Sequence, residues 1–350
     1  MTARRGDAHR IIRWLWTGRR LDARLVRLAL IPFALAYRGV MRIRAAWYRR
    51  GWLASRDLPL PSVAVGNLTV GGSGKTPVAI WIARHYADRG LIPGILLRGY
   101  GSGDETLVHA RAVPMAAVVA NPDRIAGAEL AVAKGAQVLV LDDAYQRLDT
   151  RRDWNVLVMS AETTRAVPWT LPAGPWREGR EALDRADAAV VTRKRASREA
   201  AFALADALEA RVQGPVAVAH LGLTALEGLV SGRRHPAETL RDRRVVAASA
   251  IGDPDAFVGQ VKLTGAAVQV ATWKDHHLYR DEDVAWLAGA ARKADYVVIT
   301  EKDAVKLRDR WPAGAPEPWV AVLDLAWERG GDAFIAGLDA VVTPAEQYSL

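Results

Sequence analysis

The chain has 350 residues, which is enough for about two domains with well-buried cores. Half of the residues are hydrophobic and a quarter are charged, so a disordered or fibrous chain is excluded. Because there is no cysteine, disulfides, thiolate metal sites, iron–sulfur clusters and a cysteine nucleophile are excluded as well.

The net charge of +9 is concentrated at the start of the chain. Residues 1–56 contain 14 arginines, no lysine and only two acids, Asp7 and Asp22, whereas the rest of the chain has 34 basic and 37 acidic groups. A basic segment on a near-neutral body predicts an anionic surface as its partner, either phospholipid or nucleic acid. A nucleic-acid enzyme more often spreads its positive charge over the active face, which argues against nucleic acid.

An apolar run lies inside this basic segment. Leu28 to Tyr37 is uncharged over ten residues, well short of the ~20 that a helix needs to span a bilayer, and Pro32 interrupts it. Arginines flank the run on both sides, with tryptophans among them, a pattern typical of helices that lie in the headgroup plane. Two alternatives stay open: an amphipathic helix packed on the protein's own core, and a mitochondrial presequence.

From Pro61 onward, short apolar runs alternate with helical stretches, which predicts a doubly wound α/β domain with a parallel sheet. The predicted strands are 62–68, 94–99, 116–120, 138–143, 156–159 and 188–192, with helices at 76–88, 123–133 and 197–212. A second, smaller α/β domain is predicted from strands at 216–221, 245–251, 266–272, 296–300 and 319–325 and helices near 254–263, 281–293 and 303–310. The expected divisions are an interface segment at 1–56, a nucleotide-binding domain at 57–205 and a second domain at 206–350.

A phosphate-binding loop follows the first predicted strand. Its residues are Gly71, Gly72, Ser73, Gly74, Lys75 and Thr76. Glycines let backbone N–H groups surround phosphate oxygens, Lys75 is placed to reach the β- and γ-phosphates, and Thr76 offers a hydroxyl to Mg²⁺. The strict pattern has glycine where Thr69 stands, but the strand–loop–helix context supports a P-loop NTPase-like fold that binds ATP or GTP with Mg²⁺.

Two acids end a neighbouring apolar strand. The sequence VLVLDD (138–143) closes on Asp142 and Asp143. An acid in this position beside a phosphate loop holds Mg²⁺ directly or through water. The alternative is a helix cap or a turn.

Seven separated segments, taken in order, resemble the tetraacyldisaccharide 4'-kinase family, the lipid A 4'-kinases. They are GNLTVGGSGKTP (66–77), RGYG (98–101), GDE (103–105), DDAYQRL (142–148), LPAGPWRE (171–178), DHH (275–277) and TEKDAVKL (300–307). The resemblance implies a peripheral enzyme on the cytoplasmic face of the inner membrane. Such an enzyme uses ATP and Mg²⁺ to phosphorylate the 4'-hydroxyl of a tetraacylated glucosamine disaccharide 1-phosphate, which gives lipid IVA. The near-neutral body and the apolar run at 28–37 argue against a nucleic-acid partner, and no obligate protein partner is evident in the sequence.

The same resemblance implies roles for several residues. Asp104 matches the family's loop acid, the candidate base for the sugar hydroxyl, and His276 matches its partner histidine, with His277 as the competing assignment. A pair drawn from two domains would place the acceptor between them. Glu178 matches an acid near the metal.

Three arginines are candidate phosphate ligands, because arginine makes forked contacts to phosphate oxygens. They are Arg98, Arg124 and Arg177. The chain departs from the family pattern at Ala144 and Arg147, where the family usually has Gly and His, and it has a shortened segment before Asp104.

Two other function classes stay open at this stage. A P-loop GTPase or metallochaperone would carry a guanine-selective Asn/Thr-Lys-x-Asp, and TEKD at 300–303 has a comparable spacing but lies in the second domain. A nucleotide-gated membrane adaptor would hydrolyse nucleotide slowly and would have no lipid kinase activity.

Overall fold

A computed structural model describes residues 11–12, 14–18, 20–99, 103–162, 167–252, 254–274 and 277–343. The helices are α1 (Leu21–Arg49), α2 (Lys75–Asp88), α3 (Asp104–Ala112), α4 (Arg124–Ala133), α5 (Arg198–Glu209), α6 (Pro254–Leu263), α7 (Asp281–Ala291), α8 (Glu301–Leu307) and α9 (Gly331–Val342). The strands are β1 (Ser62–Gly66), β2 (Pro93–Leu97), β3 (Ala117–Ala120), β4 (Val138–Asp142), β5 (Trp154–Ser160), β6 (Ala188–Arg193), β7 (Val216–Gly228), β8 (Arg234–Pro236), β9 (Arg244–Ser249), β10 (Ala267–Thr272), β11 (Tyr296–Ile299) and β12 (Trp319–Arg329).

The chain forms two compact units. The first comprises residues 1–99, 113–219 and 327–350, and the second comprises residues 100–112 and 220–326. Strands β7 and β12 carry the chain from one unit into the other. The division at 57 and 206 stays a prediction, and the compact units follow different boundaries.

The first unit is built on a parallel sheet in the order β3-β2-β4-β1-β5-β6. The strands β1, β2 and β4 are buried along their whole length, as expected for a parallel sheet covered on both faces. Strand β1 lies between β4 and β5, with Val65 opposite Asp142. The carboxyl ends of β1 and β4 therefore meet at one edge of the sheet. This confirms the predicted P-loop NTPase-like architecture.

The strand order in the second unit is β10-β9-β11-β12-β7, with the short β8 antiparallel to β7. Strands β9, β10, β11 and β12 are parallel. A buried cluster that includes Tyr279, Leu287 and Leu307 packs helices α7 and α8 on this sheet. The predicted second α/β series is confirmed, although β7 and β12 extend beyond the apolar runs that predicted them, to Gly228 and Arg329.

Helix α1 is continuous over 29 residues, so the expectation that Pro32 interrupts the run is wrong at the level of structure. Contacts on both sides of Pro32 hold the helix. Arg27 donates to the carbonyl of Gly18 at 2.7 Å, and Thr170 donates to the carbonyl of Ala34 at 2.8 Å. The helix therefore has side-chain contacts before and after Pro32, a residue that removes one backbone hydrogen bond from a helix.

The small residues of α1 face inward and its large apolar residues face outward. Ala23 and Ala34 are fully buried, whereas the exposed set is Leu21, Leu25, Val26, Leu28, Phe33, Leu35, Val40, Ile43 and Trp47. Arg38 pairs with Glu181 through two hydrogen bonds of 3.1 and 2.7 Å. Among the described residues, none of the helices is both long and apolar enough to cross a membrane.

Candidate active site

The predicted phosphate loop connects β1 to α2 and adopts the backbone that its glycines allow. Gly71 has φ 125° and Gly74 has φ 85°, in the region that side chains with a Cβ rarely adopt. A Cβ added at Gly71 would meet nothing within 4 Å, so the loop borders open space. Lys75 begins α2, and the helix N-terminus adds its positive dipole end to the loop.

Strand β6 and the segment before it support this loop from outside. Thr192 donates to the carbonyl of Ser73 at 2.7 Å, and the backbone N–H of Val70 donates to the carbonyl of Pro175 at 2.8 Å. The ammonium of Lys194 lies 3.4 Å from the carbonyl of Gly72. No sequence pattern singles out Thr192 or Lys194, because both contacts depend on the pairing of strands that are distant in the chain.

The predicted magnesium ligands of the phosphate loop and of strand β4 lie next to each other at the end of β4. Thr76 Oγ1 donates to Asp142 Oδ2 at 3.0 Å, and Asp142 is 3% exposed. Lys75 Nζ lies 3.6 Å from Asp143 Oδ1, and Arg177 Nη1 donates to the same oxygen at 3.2 Å. Asp143 is itself in the left-handed region, with φ 53°, which turns the chain directly after the strand.

The oxygen atoms at this position fit a magnesium nucleotide. Hydroxyl and carboxylate oxygens are the ligands Mg²⁺ takes, with phosphate oxygens and water completing its shell. Among the described residues, no group of three or more His, Asp or Glu side chains could hold a metal alone. The hydroxyls of Thr69 and Ser73 are buried without a hydrogen-bond partner in the described part of the protein, as expected where a polar ligand completes the loop.

Arg124 is buried beside Asp142. It is 1% exposed, and its Nη2 donates to the backbone carbonyl of Asp142 at 3.2 Å. Burial, reinforced by the charge of Arg147, lowers the pKa of Arg124 to about 10. Its Nε and Nη1 have no hydrogen-bond partner within the described residues. Buried guanidinium N–H groups that lack a protein acceptor among the described residues are suited to bind an anion.

The remaining first-unit candidates have different surroundings. Arg98 is exposed, and its charge also acts on Arg124. Glu178 is buried, and both of its oxygens accept hydrogen bonds from Arg185 at 2.8 Å. A bidentate ion pair of this kind occupies the carboxylate, and a metal role for Glu178 stays a prediction.

Asp104 is the first residue of helix α3 in the second unit, rather than a loop residue. Its carboxylate is buried, and Oδ2 lies 3.0 Å from Lys306 Nζ on α8. Glu105 forms a second pair with α8, at 2.9 Å from Lys302 Nζ. These pairs place α3 in the second unit. His276 lies outside the described residues, so the Asp104–His276 pair stays a prediction.

Only one of the two candidate histidines, His277, lies in the part of the chain that the structure describes. His276 lies outside the described residues. His277 Nε2 lies 2.8 Å from Asp283 Oδ2, and its ring stacks near Trp273. Burial acts to raise the pKa of Asp283, but the N–H of Arg280 and the contacts with His277 and Trp273 lower it overall. His277 is thus held at the start of α7 by a structural carboxylate.

A buried acid that the sequence did not single out for catalysis lies behind Lys306. Asp303 is fully buried, and its carboxylate accepts hydrogen bonds from Tyr279 at 2.9 Å, Thr300 at 2.6 Å and the N–H of Ala250 at 3.1 Å. Burial raises its pKa, and these donors and Lys306 act against that rise. In TEKDAVKL, the four-residue spacing of Lys302 and Lys306 indicates that these two lysines share one face of the helix.

Comparison with known proteins identifies close relatives along almost the whole chain. The family model "LpxK: Tetraacyldisaccharide-1-P 4'-kinase" matches residues 26–103 and 101–342. A tetraacyldisaccharide 4'-kinase of Pelobacter propionicus is 36% identical over 317 residues, 83% of this chain and 86% of its own length. One of Anaeromyxobacter dehalogenans is 36% identical over 346 residues, covering 90% and 91%. The crystal structure of "apo" form LpxK from Aquifex aeolicus in complex with ATP is 26% identical, covers 91% of this chain and 100% of that one, and has a TM-score of 0.72.

Proposed function

This chain belongs to the tetraacyldisaccharide-1-phosphate 4'-kinase family, and we propose which of its own residues carry the reaction. The activity is the transfer of the γ-phosphate of ATP to the 4'-hydroxyl of a tetraacylated disaccharide 1-phosphate in lipid A biosynthesis. The GTPase, metallochaperone and adaptor alternatives are not favoured.

The donor side of the reaction lies in the first unit. The loop from Gly71 to Gly74 binds the phosphates of ATP, and Lys75 neutralises charge on the β- and γ-phosphates. Thr76 and Asp142 hold Mg²⁺, with Asp143 beside them; the metal, when bound, neutralises charge on the phosphate oxygens. The hydrogen bond of 3.0 Å between Thr76 and Asp142 supports this set.

The acceptor side depends on Asp104. In the proposed step the 4'-oxygen forms its bond to the γ-phosphorus, the bond to the ADP oxygen breaks, and the hydroxyl proton moves to the Asp104 carboxylate. His276 is proposed to support Asp104 as its partner. The single observation that carries this assignment is the buried position of Asp104 against the Lys306 ammonium, since a charge so placed favours the ionised form that a base needs.

Phosphate recognition is assigned to the arginines. Arg124 is the strongest candidate, because two of its buried donors have no hydrogen-bond partner within the described residues. Arg177 is tied to Asp143 and Arg98 is exposed. An arginine can make two parallel hydrogen bonds to a phosphate, which suits either the nucleotide or the acceptor 1-phosphate.

Membrane engagement is assigned to α1, at the cytoplasmic face of the inner membrane. The outward leucines and Phe33 of α1 supply apolar area, and the arginines of residues 1–56 suit anionic headgroups. Its contacts with Ala34 and Arg38 hold the helix on the unit that carries the phosphate loop. A lipid acceptor in the membrane and a nucleotide in solution require such a combination.

The experiment uses ATP labelled at the γ-phosphate and a bacterial lipid extract. We expect label in a chloroform-soluble species with the full chain, and none with Lys75→Ala. Labelled inorganic phosphate without any labelled lipid would contradict lipid kinase activity and would favour a nucleotide-hydrolysing adaptor.

A further inference from the structure

Two lysines of α8 face two consecutive acids of α3. Lys306 Nζ lies 3.0 Å from Asp104 Oδ2, and Lys302 Nζ lies 2.9 Å from Glu105 Oε1. Lysines four residues apart occupy one face of a helix. Helix α8 therefore presents two ammonium groups to the start of α3, one of them to the proposed base.

The two ion pairs differ in burial, and this separates their roles. The side chains of Lys306 and Asp104 are 7% and 6% exposed, whereas those of Lys302 and Glu105 are 31% and 47% exposed. Exposed ion pairs contribute little, because water screens both charges. A buried ammonium is costly unless a carboxylate compensates it, so the Lys306–Asp104 pair is a strong mutual constraint.

The other charged groups around Lys306 leave Asp104 as its ion-pair partner. Asp303, one turn earlier in α8, accepts hydrogen bonds from Tyr279, Thr300 and the N–H of Ala250. Helix α3 itself carries Glu105, paired with Lys302, the buried His109, and Arg111, which pairs with Glu227 of β7. The positive charge that faces the Asp104 carboxylate from α8 is thus that of Lys306.

We propose that Lys306 is a positioning residue for phosphoryl transfer, which holds the Asp104 carboxylate in place and in its ionised form. The inference rests on the proposed role of Asp104 as the base. In this step the proton of the 4'-hydroxyl goes to Asp104 as the new O–P bond forms and ADP leaves, and Lys306 exchanges no proton with the substrate.

The test compares three variants of the full chain: Lys306→Met, Lys306→Arg and the matched control Lys302→Met. The assay uses ATP, Mg²⁺ and tetraacyldisaccharide 1-phosphate in detergent micelles over a range of pH. At neutral pH we expect Lys306→Met to lower kcat by about 10–100-fold, because a buried carboxyl that loses a neighbouring ammonium takes up a proton more readily. The KM for ATP should change by less than about twofold. Activity of Lys306→Met should recover as the pH is raised, Lys306→Arg should keep most of the wild-type rate, and Lys302→Met should behave as wild type.

A role that is merely structural gives a different result, namely the same loss at every pH and no benefit from arginine over methionine; that result would overturn the inference. Asp104→Asn separates it from the proposed function. If Asp104→Asn is inactive while Lys306→Met keeps the wild-type rate and pH profile, only the role of Lys306 is wrong. If Asp104→Asn retains wild-type activity, the base assignment is wrong and the inference is overturned with it.

A double variant covers the case in which Lys306→Met does not fold. Asp104→Asn combined with Lys306→Met removes both charges and leaves no uncompensated buried ion. Its kcat should lie within about twofold of Asp104→Asn alone, because Lys306 acts through Asp104. A further loss of tenfold or more would contradict the proposal.

Discussion

The hydroxyl of Thr76 donates a hydrogen bond to the carboxylate of Asp142 at 3.0 Å, although the two residues are 66 positions apart in the chain. The parallel pairing of β1 with β4 brings them together, because it sets Val65 opposite Asp142 at the edge where the phosphate loop begins. The residues assigned to Mg²⁺ are therefore preorganised by the sheet.

Replacing Thr76 tests the metal assignment. Thr76→Val should raise the Mg²⁺ concentration needed for half-maximal activity by about tenfold, which corresponds to about 1.4 kcal/mol, because it removes one oxygen ligand while keeping the shape. Thr76→Ser keeps the hydroxyl and serves as the matched control. A magnesium titration at saturating ATP measures the shift, and identical curves for all three proteins would remove Thr76 from the metal site.

Lys75 is expected to be needed for chemistry and dispensable for folding. Lys75→Ala should lower kcat by about 100–1,000-fold, because it removes a charge that stabilises the transferred phosphate in the transition state. Its side chain is 20% exposed and pairs only loosely with Asp143, at 3.6 Å, so the thermal unfolding midpoint should stay close to that of the wild type. Wild-type turnover by the folded variant would refute the phosphate-loop assignment.

The outward face of α1 should bind anionic vesicles. Leu28→Ser combined with Phe33→Ser should weaken sedimentation with phosphatidylglycerol-containing vesicles, since both side chains are more than 60% exposed and lose apolar area for insertion. Leu263→Ser, at an equally exposed leucine in the second unit, is the control. High salt should weaken binding of the wild type without abolishing it. Equal loss in the control would show that α1 has no special role.

Glu162 makes the stability of the loop surroundings depend on pH. It accepts hydrogen bonds from Ser160 and from the N–H groups of Lys194, Arg195 and Ala196. Burial acts to raise its pKa, but these donors outweigh it and lower the pKa to about 2. A carboxylate with a depressed folded-state pKa stabilises the fold above its unfolded pKa, and the contribution is lost as the pH falls toward the folded value.

The corresponding variant is Glu162→Gln. Its free energy of unfolding should be lower than that of the wild type at pH 7, and the difference should shrink as the pH falls from about 4.5 toward 2. Urea unfolding at several pH values measures this, with Glu282→Gln, at an exposed acid on α7, as the control. A difference that is constant with pH would mean that ionisation of Glu162 does not contribute.

The sequence predicted every described strand except β8, because continuous apolar runs of four to seven residues between turn signals are typical of buried parallel strands. It also predicted the phosphate loop and Asp142, since both follow directly from glycine spacing and strand ends. It did not predict α3, whose nine residues begin after a glycine-rich stretch and carry little apolar surface. Ion pairs join this helix to α8, and no local sequence pattern reveals them.

Pro32 and Asp104 both show that local sequence patterns do not reveal contacts between residues distant in the chain. Proline disfavours a helix locally, but α1 continues through Pro32 and has contacts with the rest of the protein at Arg27, Ala34 and Arg38. The motif around Asp104 predicts a catalytic role, but its buried lysine partner is 202 positions further along the chain. The pairing of Lys306 with Asp104 follows from the packing of α8 against α3 and from no local sequence pattern.

The role of Asp104 is tested most directly by single-turnover transfer from γ-labelled ATP to tetraacyldisaccharide 1-phosphate, with Asp104→Ala, His276→Ala, the double variant and His277→Ala. Each of the first two should lower the rate by about 100–10,000-fold, with ATP affinity nearly unchanged, because neither residue belongs to the donor side. The double variant should be hardly slower than the slower single one, since residues that act as a unit are not additive. His277→Ala should stay active, because Asp283 holds that ring. Full additivity, or wild-type transfer by Asp104→Ala, would contradict the proposed base.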